Sequence, residues 1–124
     1  MPTINELQLA KELIRFPTVK TEDKGIMKFL SKKLTAIGFK CTIIKSKGTG
    51  TNPALNLYAR YGKSKPHIMY LGHTDVVANL DNWKFPPFKA VVSKGYLNGR
   101  GAQDMKGGIA CWISAVSNFI KNNK

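Results

Sequence analysis

Cysteine is scarce in this chain of 124 residues: only Cys41 and Cys111 are present, far apart in sequence. That excludes a disulfide framework and any cysteine-based zinc motif, and predicts two small buried hydrophobes with free thiols. A long hydrophobic run is also lacking, since no stretch approaches the roughly 20 apolar residues that span a bilayer. The first sixteen residues, Met1 to Phe16, form an amphipathic pattern interrupted by Glu6 and Glu12, which is not the pattern of a signal peptide. The expectation is a cytoplasmic protein with no membrane partner. Acidic residues are few, with seven Asp and Glu against 20 Lys and Arg and a net charge of +13. None follows Asp104.

A charge of this sign raises nucleic-acid binding as a reading. The basic residues are scattered, however, and most are Lys. An Arg-rich run, a zinc-finger spacing and an aromatic RNA-binding signature are all missing, so no nucleic-acid partner is expected. The 43% hydrophobic content suits a globular chain, and the length suits one domain or part of one.

Thr3-Ile4-Asn5-Glu6 has capping-box spacing, and Leu7, Ala10, Leu13 and Ile14 then recur at helical intervals. This predicts a helix over Ile4 to Arg15, ended by Pro17. A second helix, capped by Thr21 or Asp23, carries the stripe Ile26, Phe29, Leu30, Leu34 and Ile37, with Gly38 at its left-handed end. Lys40–Ile44 reads as a strand. The loop from Lys45 to Pro53 contains Gly48-Thr49-Gly50, but neither the spacing nor the following helix of a phosphate cradle. Leu55, Leu57, Ala59 and Tyr61 alternate with Asn56, Tyr58 and Arg60, which predicts a strand with one buried face. After a turn over Gly62 to Pro66, the continuous apolar run Ile68-Met69-Tyr70-Leu71 reads as a strand buried on both faces, and His67 before it as a surface residue.

The segment from Ala78 to Phe88 holds Trp83, Phe85, Pro86, Pro87 and Phe88 and predicts a rigid aromatic loop. Ala90–Ser93 and Tyr96–Asn98 flank Lys94-Gly95 as a hairpin. A final helix places Met105, Ile109, Trp112, Ile113, Val116, Phe119 and Ile120 on one face, with Lys121 and Lys124 at its negative end.

Chemistry concentrates in two stretches. In Gly72-His73-Thr74-Asp75-Val76-Val77, period-two alternation points His73 and Asp75 the same way, past the end of a predicted central strand. An imidazole can bind a metal through one nitrogen while a carboxylate holds the other. The plainer alternative is a cap or a loop hydrogen bond. The second stretch, Gly99-Arg100-Gly101-Ala102-Gln103-Asp104-Met105-Lys106-Gly107-Gly108, sets Asp104 where a helix begins. Alone, Asp104 would be read as an N-cap. Between glycines it can instead be delivered into a shared site.

Gly-His-Thr-Asp-Val-Val at 72–77, Trp83 with Pro86-Pro87-Phe88, and the 99–107 stretch, with 31 positions from His73 to Asp104, resemble the linked motifs of the dinuclear-zinc amidohydrolases. That superfamily includes aminoacylase, acetylornithine deacetylase and the succinyl-diaminopimelate desuccinylases of lysine and diaminopimelate synthesis, and the wording is most similar to the last group. The resemblance covers nearly the whole chain. It implies an α/β fold, the N-terminal part of a zinc-exopeptidase-like catalytic domain with helices packed on a mixed sheet. It further implies His73 as a ligand to one metal, Asp75 as the carboxylate that orients His73, and Asp104 as the carboxylate bridging two divalent ions, zinc or cobalt. The Asp104–Met105 peptide is cis in such families. The resemblance also implies a reaction in which a metal pair would supply the hydroxide that attacks an amide carbonyl, with a glutamate as general base and then acid.

The family pattern continues with a Glu-Glu pair, a later acidic ligand, a distant His and a dimerisation lid domain, none of which is present. Ala78 and Asn79 stand where many members have proline, and Gln103 replaces a small residue. The expectation is therefore a partial catalytic domain over residues 1–124, inactive alone, of an enzyme that is a homodimer when complete. Its expected substrate is a small N-acyl amino acid, N-succinyl-diaminopimelate first and an acetylornithine-type substrate second. A non-enzymatic basic interaction module is the reading from a different class. A predicted consequence of the missing parts is exposed apolar surface on the buried strand and the last helix.

Overall fold

The first helix begins where a side chain can satisfy its free amides. In the computed structural model, which describes residues 3–20, 22–47, 53–78 and 80–123, helix α1 spans Glu6–Ile14. Its N-cap is Asn5, whose Oδ1 accepts from the Gln8 amide at 2.8 Å. The Thr3 capping box does not form; Asn5 sits three residues before an amide that its short side chain reaches directly. Gly48, Thr49, Gly50, the alternative cap Thr21, Asn79 and Lys124 lie outside the described residues.

Helix α2 spans Ile26–Ala36, and Asp23 does cap it: Oδ2 accepts from the Gly25 amide at 2.8 Å and Oδ1 from Met27 at 3.2 Å. At its far end Gly38, at φ 95°, lets its own amide bond Thr35 and the Phe39 amide bond Leu34, which closes the helix as a Schellman motif. Ile26, Leu30, Leu34 and Ile37 are buried, as the stripe predicts.

Strands β1 (Lys40–Lys45) and β2 (Leu55–Arg60) form an antiparallel pair, with Cys41 opposite Ala59 and Ile43 opposite Leu57. Leu57 and Ala59 face α2, while Asn56, Tyr58 and Arg60 are exposed. A second pair, β3 (Val91–Ser93) and β4 (Tyr96–Asn98), turns through Lys94 and Gly95, both at positive φ. Val19 and Val76 add one parallel bridge.

Helix α3 spans Gly107–Asn122 and packs its Ile109, Ala110, Ile113 and Ile120 face against α1, where Leu9, Ala10 and Leu13 are buried. Ser114 Oγ donates to Glu6 Oε2 at 3.1 Å and the Ile4 amide donates to Ser117 Oγ at 3.4 Å, so the two ends of the chain are joined by hydrogen bonds as well as apolar contact. Phe119, expected on this face, is 65% exposed. Phe39, Trp112 and Tyr70 form an aromatic row beside it, with the Tyr70 and Trp112 rings stacked at 5.1 Å.

Two further expectations fail. Residues 68–71 form no strand: Ile68, Met69 and Leu71 are 93%, 81% and 83% exposed, and no described backbone group bonds the main chain of 67–72. An extended apolar segment forms sheet only when neighbouring strands flank it, and none does here. Neither thiol is buried: Cys41 is half-buried, and Cys111 is exposed because it lies on the face of α3 turned away from α1. No described helix is long and apolar enough to cross a membrane.

Candidate metal centre

Two loops separated in sequence converge on one imidazole. His73 Nε2 lies 3.0 Å from Asp104 Oδ1. Its Nδ1 lies 3.2 Å from the Asp75 carbonyl oxygen and 3.3 Å from Asp75 Oδ1. The three predicted residues therefore meet, with Asp75 on one ring nitrogen and Asp104 on the other. The orienting contact involves the Asp75 main chain as much as its carboxylate, which alternation alone could not reveal.

The Asp104 loop takes its shape from glycine. Gly101 turns at φ 82° and opens one wide π-type turn, Ala102–Lys106, closed by the Lys106 amide on the Gly101 carbonyl at 2.8 Å. Within it Asp104 leaves helical geometry at φ −122°, ψ 95°, and the Asp104–Met105 peptide is cis. A Cβ on Gly107 would lie 2.2 Å from the Ala102 carbonyl oxygen, so only glycine permits this approach. Asp104 is thus no N-cap: α3 starts three residues later, and the carboxylate projects to His73 instead. Met105 Sδ also accepts from the His73 amide at 3.4 Å.

The His73 loop stands on residues 16–20. Thr18 is buried; its Oγ1 donates to the Thr74 carbonyl at 2.5 Å and its carbonyl accepts from the Val76 amide at 2.9 Å. The Lys20 amide donates to the Val76 carbonyl at 3.1 Å. Lys106, fully buried, donates from Nζ to the Phe16 carbonyl at 2.7 Å, and burial pulls its pKa down to about 8. The same short segment therefore supports both arms of the site. Neither Thr18 nor Lys106 was marked by the sequence, since a lone threonine between helices and a lysine near a helix start carry no distinguishing pattern.

The electrostatics ask for positive charge between His73 and Asp104. Burial works to lower the His73 pKa, but the hydrogen bonds to the Asp75 carbonyl and the Asp104 carboxylate, with the charges of both, raise it above the ordinary value. With Nδ1–H donated to Asp75, the Nε2 lone pair would face a carboxylate oxygen; a proton or a cation resolves the conflict. One imidazole and one carboxylate are donors that zinc or cobalt accepts. They are too few on their own, and among the described residues no group of three or more His, Cys, Asp or Glu is arranged to hold a metal ion. The side chains of His73 and Asp104 are 47% and 84% exposed, so the site is open to further ligands.

Beyond the site, His67 Nε2 pairs with Arg60 Nη2 at 2.7 Å on the surface, as its position predicts. The aromatic loop is fixed by the Arg100 guanidinium, 4.9 Å over the Trp83 ring, and by the Arg100 amide on the Pro87 carbonyl.

Residues 69–124 match Peptidase family M20/M25/M40. Among curated relatives, the succinyl-diaminopimelate desuccinylase of Pelagibacter ubique (strain HTCC1062) is 52% identical over 126 residues, covering 100% of this chain and 33% of that protein. Enzymes of the same description from Rhodospirillum rubrum and Bradyrhizobium diazoefficiens are 46% and 44% identical, covering 92% and 94% of this chain and 29% and 31% of their own length. The chain thus spans about a third of the length of these relatives. In fold it is similar to human carnosine dipeptidase 1, with a TM-score of 0.83 at 24% identity over 96% of this chain and 29% of that one. It is similar also to an M20 family metallo-carboxypeptidase from Sulfolobus solfataricus, with a TM-score of 0.74 at 22% identity over 96% of this chain and 28% of that one.

Proposed function

Since the chain belongs to the M20/M25/M40 peptidase family and is homologous along its whole length to succinyl-diaminopimelate desuccinylases, we propose that it carries part of the metal centre of such an enzyme. The reaction is hydrolysis of N-succinyl-LL-2,6-diaminopimelate to succinate and LL-diaminopimelate. The observation that supports this most directly is the 3.0 Å approach of His73 Nε2 to Asp104 Oδ1 across 31 residues of sequence.

In this reading His73 and Asp104 would hold the divalent ions, and Asp75 would keep the imidazole in the tautomer that leaves Nε2 free. When bound, a pair of zinc or cobalt ions supplies Lewis-acid polarisation of the amide carbonyl and acidifies a shared water. The chain's own residues bind and orient. The general base and the remaining ligands come from the part of the enzyme that this chain does not span, so residues 1–124 alone are inactive. The acyl group and the homodimeric state of the complete enzyme are likewise properties of that part.

The test is a chimera in which this chain replaces the matching third of the Pelagibacter relative. It should hydrolyse N-succinyl-diaminopimelate in preference to N-acetylornithine. His73→Ala and Asp104→Ala should each reduce turnover at least a thousandfold. A folded chimera that is inactive, or one indifferent to both substitutions, refutes the reading. Turnover by the isolated chain refutes the division of the site.

A further inference from the structure

We propose that Thr18 and Lys106 are positioning residues of the site: through residues 16–20 they form one clamp that fixes how closely the Asp104 loop approaches His73. The proposal rests on the reading of His73 and Asp104 as metal ligands and adds two residues that act through them.

Among the described residues four polar side chains are buried: Thr18, Lys106, Ser114 and Ser117. The two serines tie the start of the chain to α3. The other two come from separate parts of the chain and end on the same turn. Lys106 Nζ donates to the Phe16 carbonyl at 2.7 Å, and the Thr18 amide donates to that same oxygen at 2.9 Å. The Thr18 hydroxyl in turn donates to the carbonyl of Thr74, the neighbour of His73. A continuous path therefore runs from Asp104 through Lys106, Phe16, Thr18 and Thr74 to His73. Its middle is stiff. Pro17 fixes the backbone φ between the two holds. The Phe16 ring packs on Phe29 at 5.2 Å, and the Thr18 carbonyl takes the Val76 amide at 2.9 Å. The two arms also meet beside Gly101, where a Cβ would lie 2.8 Å from Val76 Cγ1 and 3.2 Å from Lys106 Cδ.

A buried hydroxyl is normally satisfied for its own sake, and Thr18 alone would carry no more than that. Lys106 is a different case. Lysine is almost never fully buried unless paired, and no carboxylate among the described residues forms a salt bridge with Lys106. Methionine, unbranched and adaptable, would fill the same space without burying an amine. What the amine adds is a directed bond that holds the 102–106 turn at a set distance from residue 16. A misplacement of about 1 Å in a site can cost about a hundredfold in rate. A tie of this kind therefore acts on the chemistry out of proportion to its effect on stability.

The experiment has two arms. In this chain, free of metal, nuclear Overhauser contacts between the His73 ring protons and the Asp104 β protons read the approach directly. They should weaken at least threefold in Thr18→Val, which keeps the shape and loses the hydroxyl, and return in Thr18→Ser, which keeps the hydroxyl. In the cobalt-loaded Pelagibacter chimera, Thr18→Val and Lys106→Met should each lower kcat at least tenfold, leave KM within twofold and alter the visible cobalt spectrum. Thr18→Ser should restore both. The double variant should fall no more than threefold below the weaker single variant, because cutting either end releases the whole clamp. Losses that multiply instead mean two independent supports and overturn the proposal. A Thr18→Val protein that melts lower but keeps the parent's Overhauser contacts and cobalt spectrum also overturns it, since Thr18 then supports the fold alone. Should Lys106→Met not fold, the comparison of Thr18→Val with Thr18→Ser decides the matter by the same two readouts. A chimera that binds no cobalt, while the contacts in this chain still respond to Thr18→Val, supports the clamp and counts against the metal reading alone.

Discussion

At the scale of single residues, the His73 imidazole lies between Asp75 and Asp104. Its raised pKa means that protons compete for Nε2 at higher pH than for a free imidazole. Cobalt or zinc binding by the chimera should therefore weaken as pH falls through that pKa, by about tenfold per pH unit if one proton is displaced. His73→Ala should remove this dependence, which a metal titration across pH 5.5 to 8 would read. Lys106 carries a second pH signature. Its folded pKa, about 8, lies below the ordinary 10.5, so between these values the unfolded chain binds more protons and stability rises with pH. The full rise is at most roughly 3 kcal/mol. Denaturant melts from pH 7 to 10 should show that climb, and Lys106→Met should flatten it. The meeting of His73, Asp75 and Asp104 was legible at this scale because chemistry-bearing residues announce themselves by type and spacing. The supports, Thr18 and Lys106, were not, because burial and a single carbonyl partner leave no trace in residue order.

At the scale of elements, local rules decided helices and hairpins and failed where neighbours decide. The α2 stripe, the Gly38 terminus and the Lys94-Gly95 turn follow from residues within a few positions of one another. Residues 68–71 have the composition of a buried strand, yet Ile68, Met69 and Leu71 lie in the open, since a central strand exists only between other strands. Asp104 was ambiguous for the same reason: the choice between cap and ligand depends on His73, brought in from 31 positions away. Gly107→Ala tests the turn that makes that choice. Its Cβ would meet the Ala102 carbonyl oxygen at 2.2 Å, which forces the backbone apart and should cost several kcal/mol, about 1–3 from strain of this kind at the least. Thermal melts should show the loss, and the His73–Asp104 approach should open with it. Leu13→Ala, at a fully buried position of α1, should cost about 2–5 kcal/mol without disturbing that approach.

At the scale of the whole molecule, the order of contacts along the chain matters. The first helix packs on the last, through Leu9, Leu13, Ile109 and Ile113, and Glu6 accepts from Ser114 across 108 positions. On a ribosome, α1 would have to wait for α3 to emerge before it gained its partner, since a contact of long sequence separation forms only after the intervening segment exists. The imidazole and its carboxylate would then be brought together in the same late event that closes the helices, because Asp104 sits immediately before α3. Arrested translation intermediates cut back to residue 100 should consequently be protease-sensitive throughout α1, whereas those extended past residue 120 and clear of the exit tunnel should resist.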